Sequence, residues 1–247
     1  KIFSEIVRKL PDSDVTIETD DNLNTTITCE KAKFNIPGKS GEDFAYLPLI
    51  EKDACIRVSQ FTLKEIIRQT IFSVSDNDSN KMMTGELFEI NGKNMKVVSL
   101  DGHRIAMRNI RLGENYAAKK VVIPGKTLVE IGKVISSDPE SMIGLFFTDN
   151  HVMFEMEKIV AVSRLIEGEY FKIDTLMNTE YHTKLMVAKK DLQECISRAG
   201  ILQKRDENKP VVMDIRKGGM ELKVTTPLGS MDENLPIQIE GKELRIG

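Results

Sequence analysis

The stretch KTLVEIGKVI, residues 126–135, decides how the chain folds because it repeats an earlier one, KIFSEIVRKL at residues 1–10. In both stretches the apolar residues recur three and four positions apart, which predicts an amphipathic helix. After each helix, apolar and polar residues alternate over three successive segments, which predicts three strands joined as a meander. Self-similarity of this kind indicates a fold built from repeated units.

A second type of helix recurs as well. Residues 62–72, TLKEIIRQTIF, resemble residues 191–201, DLQECISRAGI. Short apolar segments precede these helices, so the predicted unit is strand, helix and three strands. The four predicted helices begin near Lys1, Gln60, Lys126 and Lys189. The predicted fold class is therefore α+β, with the helices on one side and antiparallel sheets on the other.

Two such units make one domain-sized repeat. Because the chain opens on a helix and closes on a strand, we expect both ends to come from a longer repeat protein. Residues 1–53 are predicted to be the C-terminal half of a first domain, 54–178 a complete middle domain, and 179–247 the N-terminal half of a third. The first residue is Lys rather than Met, so a targeting segment upstream stays open.

Two dipeptides predict tight turns. Asn91-Gly92 and Asp101-Gly102 each separate alternating apolar segments, which is the strongest short-range signal for a β-hairpin. We therefore expect three strands after the second helix, with His103, Ile105 and Met107 on one face of the last of them.

The stretch SLDGHRIAM, residues 99–107, allows two interpretations of its histidine. His103 beside Asp101 is compatible with a hydrolase that uses both side chains. The hairpin signal of Asp101-Gly102 favours the other interpretation, a structural turn whose polar rim receives a partner peptide. The chain has three histidines and none has a second histidine or cysteine at ligand spacing, so neither a metal site nor a catalytic nucleophile is predicted.

The composition narrows the function classes. With 35 Lys and Arg against 38 Asp and Glu, the net charge is −3, which argues against binding nucleic acid mainly by charge. The stretches IPGKS (36–40) and IPGKT (123–127) lack the upstream glycine of a phosphate-binding P-loop, so no nucleotide cofactor is expected. No apolar run is long enough to span a membrane. The three cysteines are widely spaced, which favours a reducing, cytoplasmic setting: Cys29, Cys55 and Cys195.

The polar faces of the predicted helices lean basic although the chain as a whole is acidic. A solvated helix face explains this bias as simply as a ligand does. If the repeat places the helices on one side, however, that side is weakly positive and suits loose, sequence-independent contact with phosphates. The basic residues concerned are Lys64, Arg68, Lys126, Lys133, Lys190 and Arg198.

At SLDGHRIAM the chain resembles a known family, the bacterial DNA sliding clamp, which is the beta subunit of DNA polymerase III. The matching motif is Asp-Gly-His-Arg followed by an aliphatic residue. Three further segments agree in order with the family: TGELFEI (84–90), VVIPGKTLVEI (121–131) and VSRLIEGEY (162–170). The resemblance covers the whole chain.

The resemblance implies a processivity factor rather than an enzyme, without cofactor or metal. Members of the family are head-to-tail homodimeric rings of three similar domains per chain, and duplex DNA passes through the hole without sequence preference. The implied partners are the replicative DNA polymerase, the clamp loader, and other DNA polymerases and repair proteins that carry short clamp-binding motifs. The implied location is the cytoplasm, with no membrane contact. The alternative is a repeat scaffold that binds linear peptides without encircling DNA.

The resemblance also implies a hydrophobic groove that receives those motifs, and a loop that touches DNA. Where many members have Tyr-Pro-Asp, this chain reads Tyr-Phe-Lys at 170–172, and the groove's other wall is expected beyond residue 247. The implied groove residues are Met83, Leu100, Gly102, His103, Arg104, Ile105, Phe171 and Leu176. The implied DNA-facing residues are Asn80, Lys81 and Met82, together with the basic helix residues Lys64, Arg68, Lys126, Lys133, Lys190 and Arg198.

Overall fold

The structure is a computed structural model that describes residues 2–43, 48, 50, 52, 54–77, 79–177, 180–203 and 210–247. The chain forms two compact units, Lys1–Tyr170 and Phe171–Gly247. The division into three domains proposed from the sequence stays a prediction.

Five α-helices occur among the described residues: α1 (Ile2–Lys9), α2 (Gln60–Thr70), α3 (Gly125–Val134), α4 (Ile173–Met177) and α5 (Lys189–Ile201). Short 3-10 turns occupy Gly41–Asp43, Ile71–Ser73 and Lys81–Thr84. The first unit contains strands β1 (Thr16–Thr19), β2 (Asn24–Cys29), β3 (Ala32–Pro37), β4 (Cys55–Ser59), β5 (Gly85–Leu100), β6 (Ile105–Pro124), β7 (Met142–Phe147), β8 (His151–Met156) and β9 (Ile159–Arg164). The second contains β10 (Thr183–Val187), β11 (Val212–Arg216), β12 (Gly219–Thr226), β13 (Gly229–Leu235), β14 (Ile237–Gly241) and β15 (Leu244–Ile246).

The repeat predicted from the sequence is present in the first unit. Helix α1 is followed by the antiparallel sheet β1-β2-β3, and α3 is followed by β7, β8 and β9, which β4 extends into a four-stranded sheet. Helix α2 begins where predicted, because the Ser59 hydroxyl caps it by accepting a hydrogen bond from the Thr62 backbone N–H at 3.1 Å. The apolar stripes of α2 and α3 face one core, which contains Leu63, Ile66, Phe88, Leu128, Ile131 and Phe154.

The prediction of three strands after α2 was wrong. The segments on both sides of Asn91-Gly92 belong to one strand, β5, which pairs antiparallel with the 20-residue β6. Gly92 has a φ of +57°, and the pairing register shifts on either side of it. The dipeptide therefore forms a β-bulge, which uses the same left-handed glycine as a hairpin turn but leaves the chain direction unchanged.

The second compact unit contains the other copy of the repeat of strand, helix and three strands. Strand β10 leads into α5, and β11, β12 and β13 follow with β15 in a four-stranded sheet of order β13-β12-β11-β15. The last predicted strand is divided at Pro236, because proline has no N–H for the ladder, and β14 pairs with β10 instead. Cys195 of α5 and Leu222 and Leu235 of the sheet form the core.

A buried polar network attaches the end of α2 to β5. The Thr70 hydroxyl lies 2.8 Å from the Ile66 carbonyl oxygen and 3.0 Å from Oε2 of Glu86. The Ser99 hydroxyl donates to the Thr70 carbonyl oxygen at 2.5 Å. Thr70, Glu86 and Ser99 are all fully buried. These bonds fix the last turn of the helix against two separate points of the long strand.

The hydrogen bonds of this network need one more proton than the Thr70 and Ser99 hydroxyls supply, unless the Glu86 carboxyl is protonated. The Thr70 hydroxyl carries a single proton, and when it donates to the Ile66 carbonyl it can only accept from the Glu86 carboxyl. Burial raises the pKa of Glu86 from 4.5 to about 8, and its Oε1 has no hydrogen-bond partner among the described residues. A pKa of about 8 leaves most of the Glu86 carboxyl protonated at neutral pH, and the protonated form can donate to the Thr70 hydroxyl.

We expect this acid to make the fold less stable as the pH rises. Between pH 4.5 and about 8 the unfolded chain has lost the Glu86 proton while the folded chain retains it. The free energy of unfolding should therefore fall by up to roughly 1.4 kcal/mol per pH unit in that window and level off above it. Glu86→Gln keeps a donor to Thr70 and should remove this contribution. Urea unfolding at about pH 5 and about pH 8 measures it, and parallel pH profiles for the two proteins would contradict it.

Candidate functional site

The loop between β5 and β6 is organised by Asp101. Its Oδ1 accepts hydrogen bonds from the backbone N–H groups of His103 and Arg104, both at 3.1 Å, and Gly102 has a φ of +90°. The turn predicted at Asp101-Gly102 therefore lies where the sequence placed it. The prediction that His103 lies on the outgoing strand was wrong, because the Asp101 carboxylate holds four residues in the loop and β6 begins only at Ile105.

The side chain of Arg104 folds back over this loop. Its Nε donates to Oδ2 of Asp101 at 2.7 Å, and its guanidinium carbon lies 5.9 Å from the ring centroid of Phe72. The backbone N–H of His103, and then the bonds from Arg104, hold the pKa of Asp101 below its ordinary value. Asp101 is thus a fixed carboxylate that orients an exposed cation.

The predicted groove residues of the first unit differ in exposure. Gly102, His103 and Arg104 are exposed, Ile105 is half-buried, and its pairing partner Leu100 is buried at 3% exposure. Leu100 therefore lies beside Ile105 on the same face and offers little surface of its own.

Three further groove residues lie outside that loop. Met83 is half-buried in the 3-10 turn just before β5. Phe171 and Leu176 belong to the second unit, where Phe171 is half-buried and Leu176, on α4, is 51% exposed. Their assignment to the groove stays a prediction.

Sequence reasoning missed one exposed residue near the loop, Phe72, and placed a second, Met107, on the face of Ile105 without assigning it to the groove. Phe72, in the 3-10 turn after α2, is 55% exposed, and the guanidinium carbon of Arg104 lies over its ring. Met107 is 42% exposed and lies two residues after Ile105, on the same face of β6. The available signal was an aromatic residue just past the buried end of a helix. Apolar periodicity alone assigns such a residue to the core.

Several predicted DNA-facing cations of the first unit are already paired. The Lys64 ammonium donates to the Ile135 carbonyl oxygen and to Ser137, both at 3.1 Å. Arg68 forms a bidentate pair with Glu65 at 2.8 and 2.7 Å, and Lys133 pairs with Glu130 at 2.7 Å. The basic bias of the helices is therefore partly offset within one helical turn.

The remaining DNA-facing candidates fall into two groups. On α5, Lys190 lies 3.9 Å from Glu194, and Arg198 pairs with Glu233 through its Nε at 2.8 Å. In the first unit, Asn80 caps the 3-10 turn that contains the exposed Lys81 and the half-buried Met82, and Lys126 is exposed at the start of α3. Within the described ranges, neither Lys81 nor Lys126 has an ion-pair partner.

The hydrolase interpretation finds no support in the geometry of the loop. The Asp101 carboxylate is occupied by Arg104 and by backbone N–H groups, and in the described part of the chain the His103 ring forms no bond to it. Among the same residues, no cluster of three or more histidine, cysteine or acidic side chains could hold a metal ion. None of the described helices is long and apolar enough to cross a bilayer.

Repeated helix-and-meander units with an Asp-Gly-His-Arg loop define the class of DNA clamps. The family model for the central domain of the DNA polymerase III beta subunit matches residues 57–172, and that for its N-terminal domain matches residues 1–48. The chain is 34% identical over 252 residues to the beta sliding clamp of Halalkalibacterium halodurans, and 32% identical over 248 residues to that of Staphylococcus aureus. Each alignment covers 100% of this chain and 66% of the relative.

Solved structures agree with these matches. A protein of Eubacterium rectale assigned as a DNA polymerase III beta subunit is 56% identical with a TM-score of 0.90, and the match covers 100% of this chain and 67% of that one. The sliding clamp of Bacillus subtilis is 32% identical with a TM-score of 0.87, covering 99% and 65%. The chain belongs to the DNA polymerase III beta subunit family. The resemblance and the fold class inferred from the sequence are confirmed.

We expect Asp101 to matter for stability more than its histidine neighbour. Asp101→Ala removes three hydrogen bonds to a carboxylate and should lower the free energy of unfolding more than a change at His103 does. His103→Ala, an exposed change in the same loop, should stay within about 0.5 kcal/mol of the unmodified chain. Urea unfolding at neutral pH measures both. Equal losses for the two variants would contradict the role assigned to the carboxylate.

Proposed function

We propose that the chain is the larger part of a DNA polymerase processivity factor, a ring-shaped sliding clamp that encircles duplex DNA. The observation that carries the proposal is membership of the beta subunit family, with matches to two of its domains. The chain spans 66% of the length of the curated relatives it matches. The complete protein would be a head-to-tail homodimer in the cytoplasm, and it would act without catalysis.

Retention on DNA would come from topology rather than from tight electrostatic binding. The chain carries a net charge of −3, and Arg68 and Lys133 are paired with acids on their own helices. The exposed Lys81 and Lys126 are the strongest candidates for phosphate contact in the first unit. Few unpaired cations give weak contact with phosphates, which is compatible with sliding.

The loop after β5 would form one wall of a groove for short peptide motifs. Ile105 supplies apolar surface, and His103 and Arg104 supply a polar rim beside it. Apolar anchors with a few orienting polar groups are the usual composition of a peptide site. The partners would be the replicative polymerase, the clamp loader, and other DNA polymerases and repair proteins with such motifs.

Topological retention can be tested by changing the shape of the DNA. The full chain is loaded onto nicked circular DNA by the clamp loader, and the DNA is then cut once with a restriction enzyme. We expect the protein to stay on circles through gel filtration and to slide off linear molecules. Retention that is unchanged by cutting would exclude encirclement and favour a peptide-binding scaffold.

Acidic substitutions at the last loop residue and at the first residue of β6 should weaken peptide docking. Arg104→Glu and Ile105→Glu place an acid in the rim and in the apolar wall respectively, and each should raise the Kd of a polymerase-derived peptide by about tenfold or more. Lys158→Glu makes the same charge change as Arg104→Glu in the exposed turn between β8 and β9 and should leave the Kd unchanged. Isothermal titration measures the three variants. Loop variants that bind as well as the control would remove Arg104 and Ile105 from the site.

A further inference from the structure

Phe72 is a large aromatic residue that the core does not use. It lies in the 3-10 turn Ile71–Ser73, directly after α2, and is 55% exposed, whereas the next residue, Ser73, is fully buried. Its ring faces the guanidinium of Arg104 at 5.9 Å. The exposure of Phe72 therefore coincides with a specific contact to the loop after β5.

Two contacts, with Asp101 and with Phe72, constrain the Arg104 side chain, and the end of its guanidinium is exposed. A single hydrogen bond from Nε to Asp101 fixes one point of the guanidinium but leaves its plane free to swing. The Phe72 ring supplies a second contact, since the guanidinium carbon lies over it at 5.9 Å from its centroid. The two terminal nitrogens of Arg104 have no hydrogen-bond partner among the residues that the structure describes. They remain available as donors.

The buried network places the ring beside the loop. Ser99 donates to the carbonyl oxygen of Thr70 at 2.5 Å, and these residues lie two positions before Asp101 and Phe72 respectively. The Thr70 hydroxyl is bonded in turn to Glu86 at 3.0 Å. The end of α2 and the start of the loop are thereby joined at one buried point, and the two exposed side chains meet above it.

We infer that Phe72 is a positioning residue for docking, whose ring holds Arg104 in the orientation that meets the carbonyl or carboxylate oxygens of a bound peptide. The inference rests on the proposed function of this loop. A long side chain that is already ordered loses less conformational entropy when it binds. The contribution of Phe72 is therefore pre-organisation, and it acts only through Arg104.

The test compares three aromatic-site variants. Phe72→Leu keeps the apolar bulk but removes the ring, and should weaken binding by about two- to tenfold, the range expected for ordering one long side chain. Phe72→Tyr keeps the ring face and should restore binding. Phe61→Leu changes an exposed phenylalanine at the other end of α2 and should have no effect. The probe is the tightest binder among short overlapping peptides that cover the replicative polymerase of the same organism.

A double-mutant cycle separates positioning from direct contact. In an Arg104→Ala background, Phe72→Leu should cause no further loss, because the side chain that it orients is absent. The same loss in both backgrounds would overturn the positioning role, and so would unchanged binding by Phe72→Leu alone. If the unmodified chain bound none of the peptides, the proposed docking function would fail as well. If the unmodified chain binds a peptide and Phe72→Leu binds it equally well, only this inference is overturned.

Discussion

The first unit depends on the attachment of the end of α2 to the long strand β5. Thr70 makes this attachment with both its hydroxyl and its carbonyl oxygen, to Glu86 and Ser99 respectively. A buried carboxyl without a cation is costly unless it stays protonated, so the attachment depends on a proton as well as on packing. The same attachment aligns the surface above it, where Phe72 and Arg104 meet. The attachment that holds the core together therefore also fixes the geometry of the candidate site.

The family relationship and the local chemistry answer different questions. Membership of the beta subunit family defines the fold. It does not explain why Arg104 is exposed and oriented, which follows from the Asp101 carboxylate, the positive φ of Gly102 and the Phe72 ring. Three hydrogen bonds to the Asp101 carboxylate hold the loop and leave the side chain of Arg104 exposed.

Much of the fold could be predicted because apolar periodicity reports burial directly. It located α2, α3 and α5 and the meander after α3 to within about one residue. It failed at Asn91-Gly92, since a bulge and a hairpin turn need the same left-handed glycine and differ only in what each flanking segment pairs with. The position of Phe72 could not be predicted either. Its contact with Arg104 depends on a hydrogen bond between Thr70 and Ser99, which lie 29 positions apart in the sequence.

The paired cations of the helices have a consequence for thermodynamics. When a protein cation meets a phosphate in place of free salt ions, the counterions released make the affinity fall steeply with salt. Arg68 and Lys133 already have carboxylates of the chain as built-in counterions. A phosphate that approached them would exchange one fixed anion for another and release few ions to the solvent. Such a surface would respond only weakly to ionic strength, so its hold on a duplex would stay nearly constant when the salt concentration changes.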